Sequence, residues 1–121
     1  MIIPDTSIWI NHIHHRDPQL AELLTQRLVL VHPFVIGEIA LGSMKQYDAI
    51  IESLSTLPAA PTVTEEEVRF MIKRHAIMGS GIGYVDAHLL ASAMLTDDAL
   101  LWTRDKRLDL VASRIGIAWT G

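Results

Sequence analysis

The chain has 121 residues and a formal net charge of −4. This length predicts one domain, residues 1–121, with a hydrophobic core of its own. Half of the residues are apolar and a fifth are charged, which excludes intrinsic disorder, since a disordered chain combines low hydrophobicity with high net charge. The acidic balance also excludes a globally basic nucleic-acid coat. Any contact with a nucleic acid must therefore be local or assisted by a bound cation.

Cysteine is absent, so the chain has neither disulfides nor thiolate metal ligands, a composition that suits a reducing cytoplasm. The first residues contain no basic segment followed by an apolar run, and we therefore expect no signal peptide. No stretch reaches the roughly 18 uninterrupted apolar residues of a membrane span. These patterns predict a cytoplasmic protein without membrane contact.

Short apolar runs alternate with amphipathic segments along the chain. Four of the apolar runs are predicted to be strands: Ile2–Pro4, Leu28–Val31, Ala99–Thr103 and Ile115–Trp119. Residues 62–63 could form at most a very short fifth strand. The alternation of strands with helices predicts an α/β domain with a mainly parallel central sheet of about four to five strands.

Several residues carry helix-start signals. Ser7 is a candidate cap for the first helix, and Asp17 followed by Pro18 predicts the start of the second. Thr64 followed three residues later by Glu67 forms a capping-box pattern. A further helix is predicted over 106–113.

Four acidic residues lie where predicted strands end or helices begin: Asp5, Glu38, Asp86 and Asp105. In parallel α/β sheets, sites gather beyond the carboxyl ends of the strands, so we expect these carboxylates at one mouth. Carboxylate oxygens suit Mg²⁺ or Mn²⁺, and two such ions can activate a water and stabilise the leaving oxygen in a displacement at phosphorus. Without a cation the acids would repel one another, so the pattern favours metal binding.

Each acid also has a purely structural interpretation. Asp5 and Asp105 can cap helices, and Asp86 at a helix N-terminus gains from the macrodipole. Glu38 is the hardest to explain in this way, because a lone acid on an apolar stripe costs desolvation free energy. Taken singly, the structural interpretations are stronger; the ordered set of four favours the metal site.

Four segments that hold these acids resemble the PIN-domain ribonucleases: Asp5-Thr6-Ser7 after a strand, Pro33–Glu38, Gly83–Ala87 and Trp102–Leu108. Within that family, the chain is most similar to the VapC toxins of type II toxin–antitoxin pairs. The resemblance covers nearly the whole chain, and it implies a three-layer α/β/α PIN domain.

The resemblance further implies a Mg²⁺- or Mn²⁺-dependent endoribonuclease in which the four acids form the catalytic quartet. Asp5 and Asp86 are then expected as direct metal ligands, and Glu38 and Asp105 as ligands that bind directly or through water. Supporting hydroxyls are expected at three positions: Thr6, Ser7 and Thr103. The family's partners are a second copy in a homodimer, a VapB-like antitoxin that neutralises the toxin, and operator DNA reached only through the antitoxin.

Basic residues flank the last acid of the quartet. Arg104, Lys106 and Arg107 predict a rim that contacts RNA phosphates, with an ordinary solvated face as the alternative. The rival interpretation of the function is a non-catalytic module that binds antitoxin or RNA on the same fold, against which the intact quartet argues. Hydrolysis of DNA also stays open, because metal chemistry at phosphorus does not itself select the sugar. The sequence assigns no chemical role to four histidines: His12, His14, His15 and His88.

Overall fold

The chain forms seven helices and two short strands in a computed structural model that describes all residues from Met1 to Gly121. In chain order the elements are β1 (Ile2–Pro4), α1 (Thr6–His15), α2 (Pro18–Thr25), α3 (Pro33–Ala40), α4 (Tyr47–Ser55), α5 (Glu65–Arg74), α6 (Tyr84–Leu95), β2 (Leu100–Trp102) and α7 (Lys106–Ile115). The predicted α/β class is confirmed.

The sheet is parallel but smaller than we expected. β1 pairs with β2 in a register that places Ile2 opposite Leu100 and Pro4 opposite Trp102. The further pairings are isolated parallel bridges: Ile2 with Val29, Val31 with Ala59, and Leu101 with Ala118. The expected four to five strands are therefore not confirmed.

Local signals explain why the neighbouring segments form bridges instead of strands. Pro33 begins α3 two residues after Val31, and Pro58, beside Val31, has no N–H to donate to a ladder. At the C-terminal side, α7 continues to Ile115, beyond the predicted range of 106–113. The helix ends at Gly116, whose φ of 88° is the left-handed conformation that glycine favours. The predicted last strand is therefore reduced to the residues that follow this glycine.

Helix α6 runs through the hydrophobic core. Its seven consecutive residues from Ala87 to Ala93 are all buried, and Leu89 and Leu90 are fully enclosed. The alanines among them allow neighbouring elements to approach closely. The helix has 12 residues, and no helix of the chain combines the length and hydropathy that crossing a bilayer requires.

Side-chain caps start most of the helices. Asp17 Oδ1 accepts hydrogen bonds from the backbone N–H groups of Gln19 at 2.9 Å and Leu20 at 3.2 Å, and Oδ2 accepts from Arg104 Nη2 at 3.1 Å. Thr64 caps α5 by accepting from the Glu67 N–H. Both caps confirm the sequence prediction.

The first helix had two candidate caps, Ser7 and Asp5, and Asp5 takes the role. Asp5 has an extended backbone and its Oδ1 accepts from the Ile8 N–H at 3.1 Å, whereas Ser7 lies inside α1. An aspartate is as good a cap as a serine, and here it stands at the end of β1, where the chain must turn into the helix.

Replacing Asp17 and Arg104 in turn separates the helix cap from the ion pair. We expect Asp17→Ala to lower the free energy of unfolding by about 1–2 kcal/mol, because two backbone N–H groups lose their acceptor. Arg104→Ala should cost at most about 0.5 kcal/mol, since the guanidinium is more than half exposed. Urea denaturation of both variants measures the difference. Equal losses would show that the ion pair, and not the cap, provides the stability.

Candidate active site

The carboxyl ends of β1 and β2 open onto a cluster of acidic and hydroxyl side chains. Asp5 follows β1 and Thr103 follows β2, and the Asp5 N–H donates to the Trp102 carbonyl at 2.9 Å. Because the strands are parallel and Pro4 is opposite Trp102, the residues that follow them are neighbours. The Thr103 hydroxyl donates to Asp5 Oδ2.

The Asp5 carboxylate is buried and fully oriented by hydrogen bonds. Its side chain is only 4% exposed. Oδ1 accepts from the Ser7 hydroxyl at 2.5 Å and from the Ile8 N–H, while Oδ2 accepts from Thr103. Three donors compensate the cost of burying a charge and hold the carboxylate in one orientation.

Thr103 also links Asp5 to Asp105. The Thr103 hydroxyl oxygen accepts from the Asp105 N–H at 3.0 Å. Asp105 Oδ1 in turn caps α7 by accepting from the N–H groups of Arg107 at 2.9 Å and Leu108 at 3.1 Å. The capping interpretation of Asp105 is therefore correct in structural terms, and the cap uses only Oδ1 of this exposed side chain.

Glu38 belongs to the second turn of α3, which packs against α1. Its Oε1 accepts from the Thr6 hydroxyl at 2.5 Å. The side chain is exposed, so the argument that a lone acid there costs desolvation was wrong. Its position is explained by the hydroxyl of α1. All three hydroxyls predicted to support the acids thus contact an acid.

Asp86 completes the group from the first turn of α6. Its pKa is raised to about 6, first by burial and then by the negative charge of Asp5, with further contributions from Glu38 and Asp105. A hydrogen bond from the Gly83 backbone acts in the opposite direction. All three other acids act on this one carboxyl group, which indicates that the four carboxylates share a site.

The donor set suits a hydrated divalent cation. No three Asp, Glu or His side chains converge closely enough to hold a metal ion by themselves. Mg²⁺ binds proteins through one or two carboxylates and completes its coordination with water and substrate phosphates, so a closed cage is not required. A cation beside Asp5 and Asp86 would also offset the repulsion that adds to burial in raising the pKa of Asp86.

Residues 2–113 match the PIN domain family. The chain belongs to the PIN-domain family. It is also 46% identical over 118 residues to proteins named Ribonuclease VapC32 from two strains of Mycobacterium tuberculosis, CDC 1551 / Oshkosh and H37Rv. Each alignment covers 98% of this chain and 95% of the relative. The resemblance to VapC-type PIN-domain proteins that the four motifs predicted is confirmed.

The basic rim of this PIN domain is not uniform. Arg104 Nη2 lies 3.1 Å from Asp17 Oδ2, so this guanidinium is already paired. Lys106 and Arg107 are exposed and form no ion pair, and the Arg107 side chain lies over Gly81. The structure therefore distinguishes among three cations that the sequence had treated alike.

Four aromatic and imidazole rings, whose contacts the sequence did not predict, pack in edge-to-face or tilted arrangements between α3 and α6. The ring centroids are 5.0 Å apart for His32 and Phe34, 4.8 Å for Phe34 and His88, and 4.7 Å for His88 and Tyr84. Burial, followed by the charge of His88, lowers the pKa of His32 to about 4. Neutral His32 caps α3 by accepting from the Phe34 N–H at 3.0 Å. These ring contacts join the two helices that carry Glu38 and Asp86. Their one local signal in the sequence was the four-residue spacing of Tyr84 and His88.

We expect Asp86→Asn to stabilise the metal-free PIN domain near neutral pH. A raised pKa means that the folded state binds this proton more tightly than the unfolded state. The wild-type free energy of unfolding is therefore lowered as pH rises from about 4 to about 6, and the loss persists above that range. Asparagine carries no charge, so the variant should have a free energy of unfolding about 1 kcal/mol higher than the wild type at a pH of about 7.5, allowing for solvent screening. This difference should vanish near a pH of about 4.

Urea denaturation in EDTA at both pH values measures this difference. Asp48→Asn, an exposed acid in the first turn of α4, is the matched control. Because the pKa of His32 is lowered, its titration makes the free energy of unfolding rise with pH, but this effect is the same in all the proteins compared. A stabilisation by Asp86→Asn that is the same at both pH values would contradict the charge repulsion.

Proposed function

We propose that this VapC-type PIN-domain protein is the toxin of a type II toxin–antitoxin system and a divalent-metal-dependent endoribonuclease. The observation that carries the proposal is the cluster of acids beyond the ends of β1 and β2, where Thr103 contacts both Asp5 and Asp105. The charges of Asp5, Glu38 and Asp105 also add to burial in raising the pKa of Asp86. Four acids that repel one another beyond the ends of parallel strands favour a bound cation. The 46% identity to proteins named Ribonuclease VapC32 supports RNA as the substrate.

Each residue of the quartet then has a distinct task. Asp5 and Asp86 hold the cation directly, and Glu38 and Asp105 hold it directly or through water. When bound there, Mg²⁺ or Mn²⁺ would supply the positive charge needed to activate a water and to stabilise the oxygen that leaves phosphorus. Asp5 is suited to its role because its three hydrogen bonds fix the direction of the carboxylate before any ligand arrives.

The supporting hydroxyls orient the acids. Ser7 and Thr103 hold Asp5, and Thr6 holds Glu38. Asp86 has no such hydroxyl partner, and burial and the neighbouring charges raise its pKa despite the opposing contribution of the Gly83 backbone.

Partners and location complete the proposal. Lys106 and Arg107 contact RNA phosphates at the rim, and Arg104 contributes less because it is paired with Asp17. A VapB-like antitoxin neutralises the toxin and brings it to operator DNA, and the toxin acts as a homodimer in the cytoplasm. These assignments rest on the similarity to VapC-type proteins.

Cleavage of RNA tests the nuclease directly. Purified, antitoxin-free protein is incubated with transfer, ribosomal and messenger RNA in Mg²⁺, Mn²⁺ or EDTA. We expect discrete fragments only with metal, and a loss of rate of at least about a hundredfold in Asp5→Asn and Asp86→Asn, since each removes a ligand charge. Asp48→Asn should cleave like the wild type. Cleavage in EDTA, or wild-type rates in either quartet variant, would refute the mechanism, and metal binding without any cleavage would favour the non-catalytic module.

Thr103 offers a test of positioning. Thr103→Val removes the donor to Asp5 and the acceptor for the Asp105 N–H, and we expect it to weaken Mn²⁺ binding and cleavage by about tenfold. Thr103→Ser keeps the hydroxyl and should restore both. Isothermal titration with Mn²⁺ separates metal affinity from the chemical step. If valine and serine variants bind Mn²⁺ equally well, the hydroxyl does not orient the site.

A further inference from the structure

Helix α5 carries a large exposed apolar side chain beside a groove. Phe70, in the middle of the helix, is 71% exposed, and Leu95 at the end of α6 is 60% exposed. A groove of about 380 Å³ lies between the two helices, and the buried side chains of Met71 and Ala91 belong to its lining. Exposed apolar surface that adjoins a groove is typical of an interaction site.

The charged residues of α5 form two groups of opposite sign around Phe70. The first turn holds three acids and the last turn two bases: Glu65, Glu66, Glu67, Lys73 and Arg74. All five are exposed, and none forms an ion pair within the chain. The helix macrodipole favours acids at the start and bases at the end. It accounts neither for the exposed ring between the two groups nor for the groove beside it.

The two groups are placed symmetrically about Phe70. Glu66 precedes Phe70 by four residues and Arg74 follows it by four, so all three lie along one face of the helix. Glu67 and Lys73 stand three residues to either side. If two copies of α5 pack antiparallel with Phe70 at the centre, Glu66 of each copy faces Arg74 of the other, and Glu67 faces Lys73. The face is therefore complementary in charge to itself.

The groove has the same division of charge. Glu66 and Glu67 line it at one end and Arg74 lines it at the other, with apolar side chains between them. A partner with charges of a single sign, such as RNA, would be repelled at one end. A second copy of α5 brings a phenylalanine for the apolar part and the matching charge for each end.

We propose that this α5–α6 face is the surface through which two copies of the chain form a symmetric dimer, with α5 antiparallel to α5. The proposal rests on the homodimer of the proposed function and assigns its interface. In a two-fold interface every contact between different residues occurs twice. The two Phe70 rings supply apolar burial at the centre, and the ion pairs at the rim fix the antiparallel direction.

Sedimentation equilibrium of the purified, antitoxin-free protein over a range of concentrations tests the surface. We expect the wild type to dimerise. Phe70→Ala, Glu66→Arg and Arg74→Glu should each weaken dimerisation at least about tenfold, because each changes both halves of the interface at once. All three side chains are exposed, so the variants should keep the fold, which circular dichroism checks.

Mixing the two charge variants tests which residues face each other. A Glu66→Arg chain has bases at both positions and an Arg74→Glu chain has acids at both, so each repels its own copy. Mixed in equal amounts, they should form a heterodimer about as tight as the wild-type dimer, because both ion pairs are restored. A chain that carries both substitutions should dimerise with itself for the same reason.

Asp48→Arg is the matched control, because Asp48 is an exposed acid in the first turn of α4. It makes the same change of charge at the same place in a helix, and it should dimerise like the wild type.

The outcomes separate the surface from the proposed function. A wild-type dimer that persists unchanged in Glu66→Arg, or charge variants that stay monomeric when mixed, would refute this interface alone. A wild-type protein that stays monomeric would overturn the surface and the homodimer together and leave the groove to a different partner, such as an antitoxin. Metal-dependent RNA cleavage tests the nuclease independently of both.

Discussion

The parallel pairing of β1 with β2 is the constraint on which the site depends. It joins segments from opposite ends of the chain and places Pro4 opposite Trp102. Asp5 and Thr103 therefore leave the sheet side by side, and the Thr103 hydroxyl contacts Asp5 while accepting from the Asp105 N–H. Since a shift of one residue turns every side chain of a strand to the opposite face, this register fixes the geometry of two acids at once.

In this protein the same aspartate can cap a helix and belong to the acidic site. Asp5 caps α1 and Asp105 caps α7, and each uses its Oδ1 for the backbone N–H groups. The second oxygen of each carboxylate stays outside the cap, shared with Thr103 in Asp5 and free in Asp105. The cap stabilises the helix and also orients the carboxylate, so the structural interpretation of these aspartates does not compete with the functional one.

Local patterns in the sequence predicted more than contacts between distant segments could. The caps at Asp17 and Thr64 and the order of the four acids follow from short motifs, whose physics involves neighbouring residues. The exposure of Glu38, the small number of strands and the different surroundings of Arg104 and Arg107 depend on how separate elements pack. Two arginines three residues apart look equivalent in a sequence, yet one meets Asp17 and the other lies over a glycine.

The site keeps an electrostatic conflict that its own side chains do not relieve. Asp5 is compensated by three hydrogen bonds and Glu38 by one, whereas Asp86 is half buried and faces the charges of the other acids. Arg107, an unpaired cation of the rim, lies over Gly81 instead of pairing with a carboxylate. If a basic side chain of the protein neutralised these carboxylates, the fold would be more stable, but the site would no longer attract a cation. Because the conflict is left open, the free energy of relieving it is available to a ligand that brings positive charge.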